Sequence, residues 1–156
     1  MTRTEEWSAR YPEWNNWIWQ VKHRITNVET LSRWFPLSEQ EKKEIGECLK
    51  SFRMGITPYY LSLVDPDDPD DPIKKECIPS IRETLPCVND LTDPLNEDGN
   101  SPVPHLVHRY PDRVLLLVTL KCSMYCRHCT RRRLVGEEDR LIPRSGMCLF
   151  QEAIHL

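Results

Sequence analysis

Long hydrophobic runs are missing from this sequence. The longest, residues 114–118, is five residues, far short of the ~20 that a membrane-spanning helix needs, so no membrane association is expected. The opening residues, MTRTEEWSARYPEW, hold no apolar stretch of the kind a signal peptide needs. A cytoplasmic protein is the expectation from both absences. Internal repeats are absent too, and glycine is scarce, five residues against 13 prolines in a chain of 156. Cysteine, by contrast, is plentiful at seven. In a cytosolic chain that number points to metal binding or catalysis rather than disulfides, and an odd count would leave one thiol over from any pure disulfide framework.

Neither part of the chain is balanced in charge. Residues 1–100 hold 12 Lys and Arg against 19 Asp and Glu, a balance of −7, whereas residues 101–156 hold 9 against 5, a balance of +4. The positive charge of the second part is mostly arginine, whose planar fork suits fixed anion recognition. Nucleic acid, phosphate and carboxylate all fit that composition.

The first segment, residues 1–64, reads as a helical region. Trp14, Trp17, Ile18, Val21 and Ile25 recur at three- and four-residue steps, predicting one apolar helix face with Pro12 in its first turn. At this spacing the tryptophans read as a packing face rather than a ligand-stacking surface. Asn27 begins a break before the apolar segment 28–35, which Pro36 ends. Ser38 with Glu41 is a capping-box signature, and the helix it starts would carry Ile45, Cys48, Leu49 and Phe52 on one face. A further helix is expected near Pro58.

The second segment, residues 65–112, opens with DPDDPDDP. Proline removes amide donors and adjacent carboxylates repel, so a core helix is excluded. A calcium loop would need a glycine at its turn and a following bidentate Glu, and neither is there. A turn-rich connector is expected, then irregular structure with one or two short helices to Pro104. The third segment, residues 113–156, starts with VLLLVTL at 114–120, which predicts a strand buried on both faces, as in a parallel sheet or α/β barrel. The C-terminal end of such a strand is where α/β folds place their ligand sites.

At that end stands CSMYCRHC. Cys122, Cys126 and Cys129, spaced C-x3-C-x2-C, can turn three thiolates toward one centre. A zinc site normally wants four protein ligands. The nearest fourth donors are His128, inside the loop, and Cys148, which has no second cysteine beside it. An iron–sulfur cluster held by three cysteines fits better and leaves one iron open to a small molecule. The basic run CRHCTRRR, with Tyr125 and His128 nearby, invites comparison with RNA-binding segments. The chain has no stacking platform or second basic face, so no nucleic-acid partner is expected, and the arginines read as clamps for carboxylate and phosphate.

The C-x3-C-x2-C spacing resembles the signature of radical S-adenosylmethionine enzymes. With its flanks, SPVPHLVHRYPDRVLLLVTLKCSMYCRHCTRRRLVG resembles the lysine 2,3-aminomutase family, as do WNNWIWQVKHRI, FRMGITPYYLSLVDP and the repeated DP connector. The likeness runs from about residue 12 to about residue 144. It implies an α/β fold of which this chain is a mostly helical N-terminal region plus the first strand and cluster loop of a partial (β/α)6 barrel. It also implies a [4Fe–4S] cluster on Cys122, Cys126 and Cys129, S-adenosylmethionine on its open iron, and pyridoxal 5′-phosphate.

By the same resemblance His128 would lie on the S-adenosylmethionine side, and Arg131 would grip the substrate carboxylate. Arg109 and Tyr110 would line the pyridoxal phosphate pocket, with Arg113 a weaker candidate; Arg132 and Arg133 fit surface charges as well. The implied reaction is isomerisation of L-lysine to L-β-lysine by 2,3-amino migration. Glutamate or a protein-bound lysine are alternative substrates, and a non-catalytic metal- or nucleic-acid-binding module is the alternative of another class. Implied partners are a small amino acid substrate, an electron donor such as flavodoxin or ferredoxin, and further copies of the full-length chain. After Arg144 the likeness fades into SGMCLFQEAIHL. The Schiff-base lysine and the acids that hold the substrate amine are expected in a region this chain does not contain, so an incomplete chain, inactive alone, is the expectation.

Overall fold

The computed structural model describes residues 2–88 and 90–136. Among them are six helices: α1 (Arg3–Arg10), α2 (Trp17–Lys22), α3 (Val28–Trp34), α4 (Glu39–Cys48), α5 (Pro58–Ser62) and α6 (Pro72–Cys77). Two 3-10 turns follow at Ile81–Thr84 and Asp98–Asn100, and then strands β1 (Leu106–Tyr110) and β2 (Arg113–Leu116). The chain forms two compact units. The first holds the residues up to Cys87 and returns for Ser123–Cys129; the second holds the described residues of Val88–Cys122 and those from Thr130 onward. The tail from Ser145, including Cys148, lies outside the described residues.

Helices this short cannot offset the cost of nucleation by themselves, and each one starts on a capping side chain. Thr2, Asn16, Asn27, Ser38, Thr57 and Asp71 each accept a first-turn amide of α1 to α6 in turn. Each such cap contributes about 1 kcal/mol. The capping box of Ser38 and Glu41 forms as its sequence predicts, and Thr2 with Glu5 forms a second one that starts α1. The acidic connector works the same way. Asp65 Oδ1 accepts from the Asp67 amide at 3.0 Å and Asp68 Oδ1 from the Asp70 amide at 2.8 Å, while the buried Asp71 caps α6. These are local turns that a proline-rich acidic stretch can make without a ladder of its own amides.

The core of the first unit is built on tryptophan. Trp7, Trp14 and Trp19 are buried and Trp34 packs against them, with Trp7–Trp34 centroids 4.9 Å apart and both Trp7–Trp14 and Trp14–Trp19 at 6.2 Å. Ile25 and Ile56, both fully buried, exchange backbone hydrogen bonds of 2.8 and 3.1 Å in an isolated bridge beneath them. The packing role of the tryptophans stands, but the expected helix face does not. The Asn16 cap delays α2 until Trp17, which leaves six residues of helix. Trp14 and Ile25 therefore reach the core from flanking loops, Trp19 and Gln20 form the buried side of α2, and Trp17 (72% exposed) and Ile18 (45%) face outward.

In the second unit β1 and β2 form an antiparallel hairpin turning at Pro111 and Asp112, with Leu106 opposite Leu116, Val107 opposite Leu115 and Tyr110 opposite Arg113. The register shifts between Val107 and Tyr110. This corrects the strand expectation in two ways. The strand covers four residues, and its partner is the antiparallel neighbour in sequence, which needs no crossover connection. Val114, Leu115 and Leu116 are exposed, whereas Leu106 and Val107 of β1 are buried. No helix among the described residues is long and apolar enough to cross a membrane.

Candidate functional site

The first unit carries two of the three cysteines of the motif on the loop Ser123–Cys129. Met124 drops into the tryptophan core. The Tyr125 amide donates to the Gly55 carbonyl at 2.8 Å, and its ring lies so close to Gly55 that a Cβ there would sit 3.1 Å from Cδ2. The Arg24 guanidinium stands 5.3 Å from the centroid of the same ring. Cys126 and Cys129 are partly exposed, joined by a turn in which the Cys129 amide donates to the Cys126 carbonyl at 3.2 Å.

The two residues between these cysteines point in opposite directions. Arg127 turns inward, its side chain 6% exposed. Its Nε donates to Glu83 Oε1 at 3.0 Å, Nη2 to Glu83 Oε2 at 2.7 Å and Nη1 to the Arg53 carbonyl at 2.7 Å, while its amide donates to the Glu76 carbonyl at 2.8 Å. Such forked, charge-assisted bonds are about twice as strong as neutral ones. His128 turns outward, 75% exposed, with Nε2 3.8 Å from Glu76 Oε1. The other oxygen of Glu76 accepts from the Tyr60 hydroxyl at 2.9 Å. Burial, and next that bond, push the Tyr60 phenol up to about 12. Burial, followed by the negative charges of Asp71 and Glu76, likewise pushes the Cys77 thiol up to about 12. Cys77 is therefore a protonated core thiol beside the loop, and Cys48 is fully buried as its helix face predicts.

The second unit carries the rest of the candidate residues. Cys122 is exposed. Arg131 meets Glu97, with Nη2 to Oε1 at 2.6 Å and Nε to Oε1 and Oε2 at 3.0 and 3.1 Å; the Glu97 side chain is 6% exposed and that of Arg131 35%. The pair uses the Nε and Nη2 nitrogens of the guanidinium. Arg133 pairs with Asp93 at 3.2 Å and Asp98 at 3.0 Å. The Asp98 amide holds the Asp93 carboxyl below the usual carboxylate range, with Arg133 adding to the effect. Arg109 donates to the Leu95 carbonyl at 3.1 Å, and exposed Tyr110 has the Arg109 and Arg113 guanidinium groups 6.0 and 5.1 Å from its centroid.

Among the described residues no group of three or more His, Cys, Asp or Glu side chains is gathered to hold a metal ion. The donor set nonetheless suits a cubane cluster in its chemistry: three thiols, none of them buried, within eight residues of chain. What the sequence reading missed are the carboxylates. Glu83, Glu97, Asp93 and Asp98 answer Arg127, Arg131 and Arg133 within their respective units. The signal was the charge asymmetry itself: the acidic part supplies counter-ions to the basic one.

No family model matches the chain. It is 57% identical over 131 residues to the L-lysine 2,3-aminomutase of Clostridium subterminale, a match covering 84% of this chain and 32% of that protein. It is 46% identical over 135 residues to the L-lysine 2,3-aminomutase of Bacillus subtilis, covering 86% of this chain and 29% of the relative. Against the glutamate 2,3-aminomutase of Clostridioides difficile it is 45% identical over 142 residues, covering 91% and 33%. The chain thus spans about a third of the length of these curated relatives.

Proposed function

We propose, for a chain that belongs to the lysine 2,3-aminomutase family, that the whole protein is an isomerase moving an amino group between neighbouring carbons of an amino acid. L-lysine is the proposed substrate and L-β-lysine the product. The observation that carries this reading is the C-x3-C-x2-C motif in a sequence 57% identical to an L-lysine 2,3-aminomutase. Glutamate is the second substrate reading, because a glutamate 2,3-aminomutase matches at 45%.

Cys122, Cys126 and Cys129 would hold a [4Fe–4S] cluster, which when bound supplies the electron that starts radical cleavage of S-adenosylmethionine. His128, outward and exposed beside Cys129, would offer its ring to the adenosyl portion of that cofactor. Arg131 would hold the substrate carboxylate on its Nη1 edge while Glu97 fixes the other edge and so sets the plane of the guanidinium. Arg109 and Tyr110 offer a cation and an exposed ring, the chemistry that suits the phosphate and ring of pyridoxal 5′-phosphate.

Anaerobic reconstitution with iron and sulfide tests the core of this reading. Iron uptake with the visible sulfide-to-iron absorption, abolished by Cys126→Ala, is the expected result. Stoichiometric zinc with no such absorption would overturn it. Product analysis with L-lysine and L-glutamate, in the presence of reduced flavodoxin, separates the two substrate readings for the whole protein.

A further inference from the structure

We propose that Arg127, acting through Glu83, is the positioning residue that holds the Cys126–Cys129 turn on the first unit. It thereby fixes two of the three proposed cluster thiolates, a consequence that rests on the aminomutase reading.

A two-residue spacer between cysteines must send its side chains somewhere, and here one goes in and one out. Arg127 is engaged from inside: each of its three guanidinium nitrogens donates within the unit, and its amide is tied to Glu76. With its side chain 6% exposed it is withheld from an external anion, in contrast to Arg131 at 35%. Glu83 is also held from its own turn. Its Oε1 accepts from the Ser80 amide at 2.9 Å, closing a capping box on the 3-10 turn Ile81–Thr84. A carboxylate fixed in that way defines one plane, and only a planar fork matches both of its oxygens. A buried pair of this kind contributes more to uniqueness of position than to net stability. The position it sets is that of the flanking residues Cys126 and Cys129.

The test compares the whole chain with its Arg127→Lys and Glu83→Gln variants. In the cluster-free protein, alkylation rates are followed at each cysteine by mass spectrometry. Cys87 serves as an exposed reference, and buried Cys48 and Cys77 report loss of the core. Cys126 and Cys129 are expected to react about tenfold faster or more in both variants, the local opening that follows loss of charge-assisted bonds, with Cys48 and Cys77 still protected. Unchanged rates at Cys126 and Cys129 would overturn the proposal. Equal acceleration at Cys48 and Cys77 in both variants would also overturn it, since the pair would then hold the whole unit rather than the turn.

After reconstitution, iron content and the electron paramagnetic resonance spectrum of the reduced cluster are expected to change in both variants. A parent chain that takes up no cluster counts against the aminomutase reading alone, because the alkylation arm still decides the anchor.

Discussion

Arg127 and Glu83, 44 positions apart, meet in a two-pronged ion pair with a shortest contact of 2.7 Å and side chains only 6% and 17% exposed. Charges this far from water are held by geometry, because each would be costly to bury alone. Arg127→Met takes the guanidinium away from Glu83 and is expected to lower the urea midpoint. Arg127→Met with Glu83→Leu should recover most of that loss, since an apolar pair of similar volume is close to neutral. A midpoint unmoved by the single substitution would show that the pair is not coupled to folding.

Gly55 gives a test of backbone approach. A methyl at this position would stand 3.1 Å from the Tyr125 ring, and the Tyr125 backbone is held there by its amide donating to the Gly55 carbonyl. Gly55→Ala is expected to destabilise by about 1–3 kcal/mol through overpacking. In a Tyr125→Leu background, with no ring to displace, the same change should cost much less. Equal costs in the two backgrounds would rule out the steric account.

The tryptophans separate the observed core from the helix face expected of their spacing. Trp14 is 4% exposed and Trp17 72% exposed. Trp14→Ala is expected to cost about 3–5 kcal/mol as a large-to-small core change, and Trp17→Ala to stay within about 0.5 kcal/mol as a surface one. Thermal or urea unfolding of both variants checks the order.

Alkaline pH should weaken the first unit. The Cys77 thiol has an ordinary value of 9.0 and is pushed up to about 12, chiefly by burial; Tyr60 moves from 10.0 to about 12 for the same first reason. Between those values the unfolded chain has released protons that the folded chain retains, so stability falls as pH rises. The contribution is intact below the unfolded value and is lost as pH rises through the folded one. Urea midpoints measured up the alkaline range should decline from about pH 9. Cys77→Ala should remove the earlier part of the decline and Tyr60→Phe the later part. A flat profile in the parent chain would contradict the burial of Cys77 and the partial burial of Tyr60.

Local signals carried the helices well. Ser38 with Glu41 and the Pro58 region mark α4 and α5, because a cap and a proline act within three or four residues; Asn27, read only as a break, is in fact the cap of α3. The same logic shows why the buried face of α2 departs from the periodicity. Periodicity from Trp14 to Ile25 assumes one continuous helix, and the Asn16 cap restarts the phase at Trp17. Thr2 with Glu5 was an equally legible capping box, and it is the one that starts α1. The apolar run 114–118 fixed a strand but not its partner, since hydrophobicity says how much a strand wants cover and nothing about which neighbour pairs with it.

The sequence by itself determined the chemistry on offer: three thiols at C-x3-C-x2-C, a row of arginines after them, an excess of acid before them, and membership of an aminomutase family. Tertiary structure decided which of those charges answer one another. Arg127 is consumed by Glu83 and the Arg53 carbonyl, Arg131 shares itself with Glu97, and His128 faces solvent between them in sequence. A residue's charge is written in its side chain, but its availability depends on where burial and distance place the opposite charge, and separations of 34 and 44 positions are set only by folding.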